Sequence, residues 1–285
     1  MLKIGVNTFL LTSPFTNEQT AIFQQFKTWG CDAVEIALED TTHIDAHVIK
    51  HKLGEYGLTC SSICAAMGPG RDLRGTPDEQ QAAVDYITQT MELMAEIDCP
   101  VMVGPLYSTV GRAEQIAGDE YRRQWDLVVA HLRQLAIRAD SLGVKLAIEP
   151  LNRYETDFIN TSGQAVALVD EIDHPAIGIL LDTYHMNIEE KDPAAAIRKA
   201  NHRLLHVHAC GCDRGAPGND HIDWNAIRDA LSEVNYRGSL VIESFTPAVK
   251  VVAKAASIWR DFEPSRDDIA VKGIAFLRNH FMTGF

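Results

Sequence analysis

VKLAIEP at residues 144–150 and SLVIESF at 239–245 are short apolar runs rich in β-branched residues, and each closes on a carboxylate, Glu149 and Glu243. AIGILLD (176–182) ends on Asp182 in the same way, and RLLHVHA (203–209) carries His208 at its end. Runs of this length with no polar alternation read as strands buried on both faces, the mark of a parallel sheet. Working outward, similar runs recur at 3–7, 33–38, 58–64 and 100–104, about 25 to 40 residues apart, with helical periodicity between them. Thr76-Pro77-Asp78-Glu79 has the layout of a helix start, with an N-cap Thr, Pro at the first position and acids in the first turn. A second helix is expected from Arg122 to Leu142, ended by Gly143, and further starts at Asp192-Pro193 and Asp223-Trp224.

Eight strands alternating with helices predict an α/β fold, a single-domain (β/α)8 TIM barrel over residues 1–285. A doubly wound open sheet is the other architecture to weigh. It would call for a Gly-rich phosphate loop after the first strand, where Asn7-Thr8-Phe9 stands instead. No Pro/Gly/Ser-rich linker divides the chain of 285 residues, of which 46% are apolar. A formal charge of −13 argues against nucleic acid as a partner, since phosphate binding needs a basic face. The N-terminal stretch lacks a signal-peptide layout, and no run is long enough for a membrane span, so no membrane partner is expected. Six cysteines without a disulfide rhythm suggest a reduced, cytoplasmic chain.

In a barrel the ends of strands five to eight form one arc of the mouth, so Glu149, Asp182, His208 and Glu243 should converge there. Any one of them could merely cap the helix that follows. Four in succession point to a divalent metal, and oxygen-rich ligands with one imidazole suit Mn²⁺, Co²⁺ or Mg²⁺. A soft zinc site built from His206, His208, Cys210 and Cys212 is a second possibility. It lacks a second cysteine pair, and His206 reads better as a hydrogen-bonded residue of the barrel interior. Strands five and eight lie three steps apart around the ring, which sets Glu149 and Glu243 on opposite faces of anything held between them. Inverting a carbon beside a carbonyl needs that layout, one group removing a proton and another returning it from the far side.

At these residues a family resemblance emerges. IEPLNRYET (148–156), LLDTYHMNIEE (180–190), HVHACGCDRGAPG (206–218), VIESF (241–245) and IWRDF (258–262) resemble the ketose 3-epimerases, the D-tagatose/D-allulose 3-epimerase group of the xylose isomerase-like TIM barrels. The resemblance implies Mn²⁺, or Co²⁺ or Mg²⁺, on Glu149, Asp182, His208 and Glu243, with no organic cofactor. It implies that Glu149 and Glu243 exchange the C3 proton of a free ketose through a cis-enediolate. Glu155, His185 and Arg214 would hold sugar oxygens near C1 to C3, Phe245 would wall the pocket, and a homodimer or homotetramer would be expected. The chain departs from the family at Cys210-Gly211-Cys212-Asp213-Arg214, where a Glu and an Asn are replaced. It also departs at Pro105–Val110, which lacks a Trp, and at Asn7, where an aromatic residue often contacts the far end of the sugar. Other reactions on the same barrel are an aldose–ketose isomerase, a keto-sugar epimerase or dehydratase, and a metal phosphodiesterase. Acidic charge and the ligands of a single metal speak against the phosphodiesterase.

Overall fold

The computed structural model describes residues 2–116 and 118–281. Eight parallel strands follow one another around a ring: β1 Lys3–Asn7, β2 Ala33–Leu38, β3 Thr59–Ala65, β4 Val101–Gly104, β5 Lys145–Ile148, β6 Ile177–Asp182, β7 Leu204–His208 and β8 Ser239–Ile242. β1 pairs with β8 from Lys3↔Ser239 to Val6↔Ile242, so the sheet closes and the open doubly wound alternative is excluded. The expected runs are found within two residues of their ends. The fold is a TIM barrel.

Ten α-helices cover it among the described residues: α1 Ile22–Trp29, α2 Ala46–Glu55, α3 Pro77–Ile97, α4 Gly118–Ser141, α5 Ser162–Ile172, α6 Thr183–Glu189, α7 Pro193–Ala200, α8 Trp224–Glu233, α9 Lys250–Ala255 and α10 Arg266–Phe281. The start at Thr76 is a full capping box: its hydroxyl accepts from the Glu79 N–H, and the Glu79 carboxylate returns to the Thr76 N–H. Asp192 and Asp223 cap α7 and α8 as expected. The long helix begins at Gly118, four residues before the expected Arg122, because Asp119 and Glu120 complement its N-terminus and extend it backward. Gly143 ends that region with φ +70°, a conformation that favours glycine.

Side chains on the outer face of the strands, such as Ile36, Met102, Ile148 and Leu181, pack with the helices into one large core. Inside the ring, Ala37, Cys64, Val101, Val103, Ala147 and Leu180 form a separate apolar cluster. Period-two geometry that turns Ala37, Cys64, Ala147 and Leu180 inward does the same for Glu35, Ser62, Glu149 and Asp182. Polar residues thus gather over an apolar plug at the carboxyl ends of the strands, where TIM-barrel sites are built. No described helix is long and apolar enough to cross a membrane.

Candidate metal centre

Asp182 and His208 are the last residues of β6 and β7 and lie directly paired. Glu149 and Glu243 each follow the last residue of β5 and β8. The Glu149 N–H still donates to the Gly104 carbonyl at 3.0 Å, so the ladder with β4 carries the side chain to the rim. All four side chains are buried, and one ligand atom from each lies within 4.8 Å of the others. His208 Nδ1 sits 3.4 Å from Glu243 Oε2 and 3.7 Å from both Glu149 Oε1 and Asp182 Oδ2. Glu149 Oε1 and His208 Nδ1 have no hydrogen-bond partner although both are buried. Leaving such atoms unpaired is costly, and converging hard oxygen donors with one imidazole fit a single divalent ion. Asp182 serves two ends at once: Oδ1 accepts from the Tyr184 N–H at 2.7 Å and caps α6, while Oδ2 faces the cluster.

The electrostatics separate Glu149, Asp182 and His208. Burial pushes Glu149 up to about 8, the nearby Glu243 and Asp182 adding to it and the His208 contact opposing it. Burial acts the same way on Asp182, but the Arg214 guanidinium and His208 outweigh it and hold its carboxyl well below the usual range. Burial pulls His208 down, yet Glu35, Glu243 and the contacts from Asp182 and Glu149 leave it well above an ordinary imidazole. One environment thus favours the protonated form of Glu149 and His208 and the ionised form of Asp182.

Arg214 lies over the quartet, donating to Asp182 Oδ2 and, at 3.0 Å, to Glu243 Oε2. Its guanidinium is held between the Tyr184 ring at 4.3 Å and the Phe245 ring at 5.0 Å. The residue has φ +71°, in a loop pinned by the Arg214 N–H on the Gly211 carbonyl and the Gly211 N–H on the Gly215 carbonyl. Left-handed backbone in a non-glycine residue costs about 1–2 kcal/mol, so the loop aims this side chain at the expense of stability. His185 Nδ1 accepts from the Asn152 N–H at 3.0 Å, which places the ring proton on Nε2, facing the site. Burial and Arg214 lower His185 to about 3, so it is a neutral donor. Its Nε2 stands 2.9 Å from Arg214 Nη2, two donors that an intervening oxygen acceptor would reconcile. Glu155 is tied by the Asn152 amide at 2.7 Å, beside the quartet rather than in it. Phe245 meets Phe9 edge-on at 6.2 Å and heads an apolar cluster with Val249, Val252 and Ile258.

Two expectations need correction. Cys210 and Cys212 do not make a zinc site: the Cys210 thiol donates to the Glu243 carbonyl, burial keeps it protonated, and no described group of metal-ligand atoms includes either cysteine. Asn7 does not reach toward the far end of a pocket. Its Oδ1 accepts from the Phe9 N–H at 2.8 Å, and its Nδ2 donates to Glu35 at 2.7 Å and Glu243 at 3.3 Å, beneath the quartet. Glu35, Asn152 and Tyr184 were not anticipated from the sequence. Glu35 did carry a signal, as an acid inside the otherwise apolar strand AVEIAL.

Residues 23–280 match the family model described as the xylose isomerase-like TIM barrel. A probable ketose 3-epimerase of Synechocystis sp. is 33% identical over 99% of this chain and 98% of its own length. The ketose 3-epimerase of Arthrobacter globiformis is 30% identical over 98% of this chain and 96% of its own. The chain belongs to the ketose 3-epimerases of this barrel family. Among solved structures, a D-allulose 3-epimerase from Methylomonas sp. in complex with D-allulose superposes with a TM-score of 0.90 at 28% identity, covering 98% of this chain and 97% of that one.

Proposed function

We propose that this protein inverts C3 of a free ketose of the D-tagatose, D-fructose/D-allulose or D-ribulose type, with Glu149 and Glu243 exchanging the proton through a cis-enediolate. One observation carries the reading: two buried carboxylates, carried by β5 and β8 three strands apart in the ring, both approach one imidazole nitrogen. Removal of a proton on one face and return on the other needs two such groups on a common substrate. Glu149, Asp182, His208 and Glu243 would hold Mn²⁺, with Co²⁺ or Mg²⁺ admitted by the same donors, and the ion when bound supplies a Lewis acid that makes the C3 proton more acidic. Arg214 and the His185 Nε2–H present donors where the carbonyl and enediolate oxygens would gather charge. Phe245, Phe9 and Tyr184 shield that side from water, and Glu155 accepts from a sugar hydroxyl. Six free cysteines accord with a cytoplasmic setting, and we take the assembly to be a homodimer or homotetramer.

The test is a ketose panel in D₂O with Mn²⁺, Co²⁺ or Mg²⁺ added to chelator-stripped protein. C3 epimers should appear with one deuteron at C3, and Glu149→Gln and Glu243→Gln should each abolish incorporation. Incorporation retained in both variants would remove the proposed proton carriers, and an aldose product would assign an isomerase instead.

A further inference from the structure

Under the quartet lies a polar assembly that touches neither the mouth nor solvent. Glu35, from the middle of β2, is completely buried on the inside of the barrel. Its Oε1 lies 2.9 Å from His208 Nε2, an ion-pair approach, and accepts from Asn7 Nδ2 at 2.7 Å. Its Oε2 takes the Ser62 hydroxyl and lies 3.0 Å from His206 Nε2. Asn7 and Ser62 donate to this carboxylate and two imidazoles approach it, so Glu35 is engaged beneath the quartet rather than within it. What it does is set how the His208 ring is turned. With Nε2 2.9 Å from Glu35, Nδ1 is the nitrogen that faces Glu149, Asp182 and Glu243.

Asn7 extends the same control to β8. The Phe9 N–H on its Oδ1 fixes which way the amide is turned, and the second Nδ2 hydrogen reaches Glu243 Oε1 at 3.3 Å. The Cys64 thiol approaches that same oxygen at 3.6 Å. With Oε1 engaged from below, Glu243 presents Oε2 to His208 and Arg214.

We propose that Glu35 and Asn7 are positioning residues of the metal centre, one orienting His208 and the other Glu243, so that affinity for the ion is set in part from strands β1 and β2, which carry none of the four ligands. The proposal rests on the quartet binding a divalent ion but not on which sugar the protein uses. Partners that orient a ligating histidine are worth about 10- to 100-fold in metal affinity. The experiment measures Mn²⁺ affinity by chelator competition and the EPR spectrum of bound Mn²⁺, both without sugar, on stripped full-length protein. Glu35→Gln keeps the shape but turns an amide donor toward donors, and should weaken Mn²⁺ about 10- to 100-fold and broaden the spectrum. Asn7→Ser, a milder change should Glu35→Gln fail to fold, should weaken Mn²⁺ several-fold. Ser62→Ala removes a donor that reaches neither ligand and should leave affinity within about twofold. At saturating Mn²⁺ the ketose KM of Asn7→Ser should stay unchanged while kcat falls. Wild-type affinity in both Glu35→Gln and Asn7→Ser, equal losses in Ser62→Ala, or a wild-type protein that holds no Mn²⁺ would each overturn the proposal. Because the decisive readings contain no sugar, they stand even if the ketose panel is silent.

Discussion

Metal loading should depend steeply on pH, and Glu149 sets the scale. In the metal-free site its carboxyl is held at about 8, chiefly by burial. A cation must displace that proton, so affinity rises with pH until the group is ionised anyway. For one group at about 8, moving from pH 6 to pH 8 raises the apparent affinity about 50-fold, equivalent to about 2 kcal/mol. His208, raised by Glu35 and Glu243 against the pull of burial, must also give up a proton and steepens the dependence. Chelator competition with Mn²⁺ at half-unit intervals from pH 6 to pH 9 measures the slope. Calorimetry in buffers of different ionisation enthalpy counts the protons released, between one and two at pH 7. Glu149→Gln should bind more weakly at every pH and lose the share of the slope due to Glu149. A change below about threefold between pH 6 and pH 8 in the native protein would refute the reasoning. Stability of the metal-free fold should follow the same groups. Glu149 is raised in the fold, so its contribution falls as pH climbs from about 4.5 to about 8. His208, also raised, contributes fully below about 6.5 and loses that support as pH passes its folded value.

Two other perturbations probe the scaffold and the Arg214 loop. A Cβ at Gly178, in β6, would lie 2.5 Å from the Arg203 carbonyl and 2.6 Å from Leu205, so Gly178→Ala must force β6 and β7 apart beside their register shift. We expect a loss of about 1–3 kcal/mol by chemical denaturation, and an unchanged midpoint would show that the strands yield freely. Arg214→Lys replaces a planar fork stacked between Tyr184 and Phe245 with a point charge; kcat/KM for the active ketose should fall about 10- to 100-fold with Mn²⁺ affinity nearly unchanged, which steady-state kinetics at saturating metal would check.

Much of this arrangement is legible in the residues. Runs such as AIGILLD and VKLAIEP carry no polar alternation, so they must be covered on both faces, and their spacing leaves room for a helix each time. Ligands that end a strand are visible because strand ends are. Legibility stops where contact crosses the ring. Period two says that Glu35 points inward, but β2 and β7 are not neighbours, and only closure of the barrel brings Glu35 onto His208. Asn7 shows the other limit. At the end of β1 its short amide, anchored by the Phe9 N–H, turns down to Glu35, a contact that the run KIGVN does not announce. Arg74 was invisible for a similar reason. It ties Ser108, Gln124, Arg112 and Asp157 into one buried network because three loops meet around it, and no local pattern announces such a meeting.

Charge balance explains how one pocket can tolerate both states. A dry interior penalises any uncompensated charge, so the site with and without metal should carry the same total. A divalent ion brings two positive charges in among Glu149, Asp182, His208 and Glu243. Without it, the raised Glu149 and His208 favour their protonated forms, and two protons carry the same charge as the ion. His185 and His206, both lowered chiefly by burial, stay neutral throughout and do not enter the balance. The exchange is thus two protons for one divalent cation, which lets the quartet stay buried and assembled before loading. It follows that Glu149 lost to Gln removes one of the two exchangeable protons along with one ligand. The variant should then release about one proton fewer per ion bound, a difference that calorimetry resolves independently of any catalytic readout.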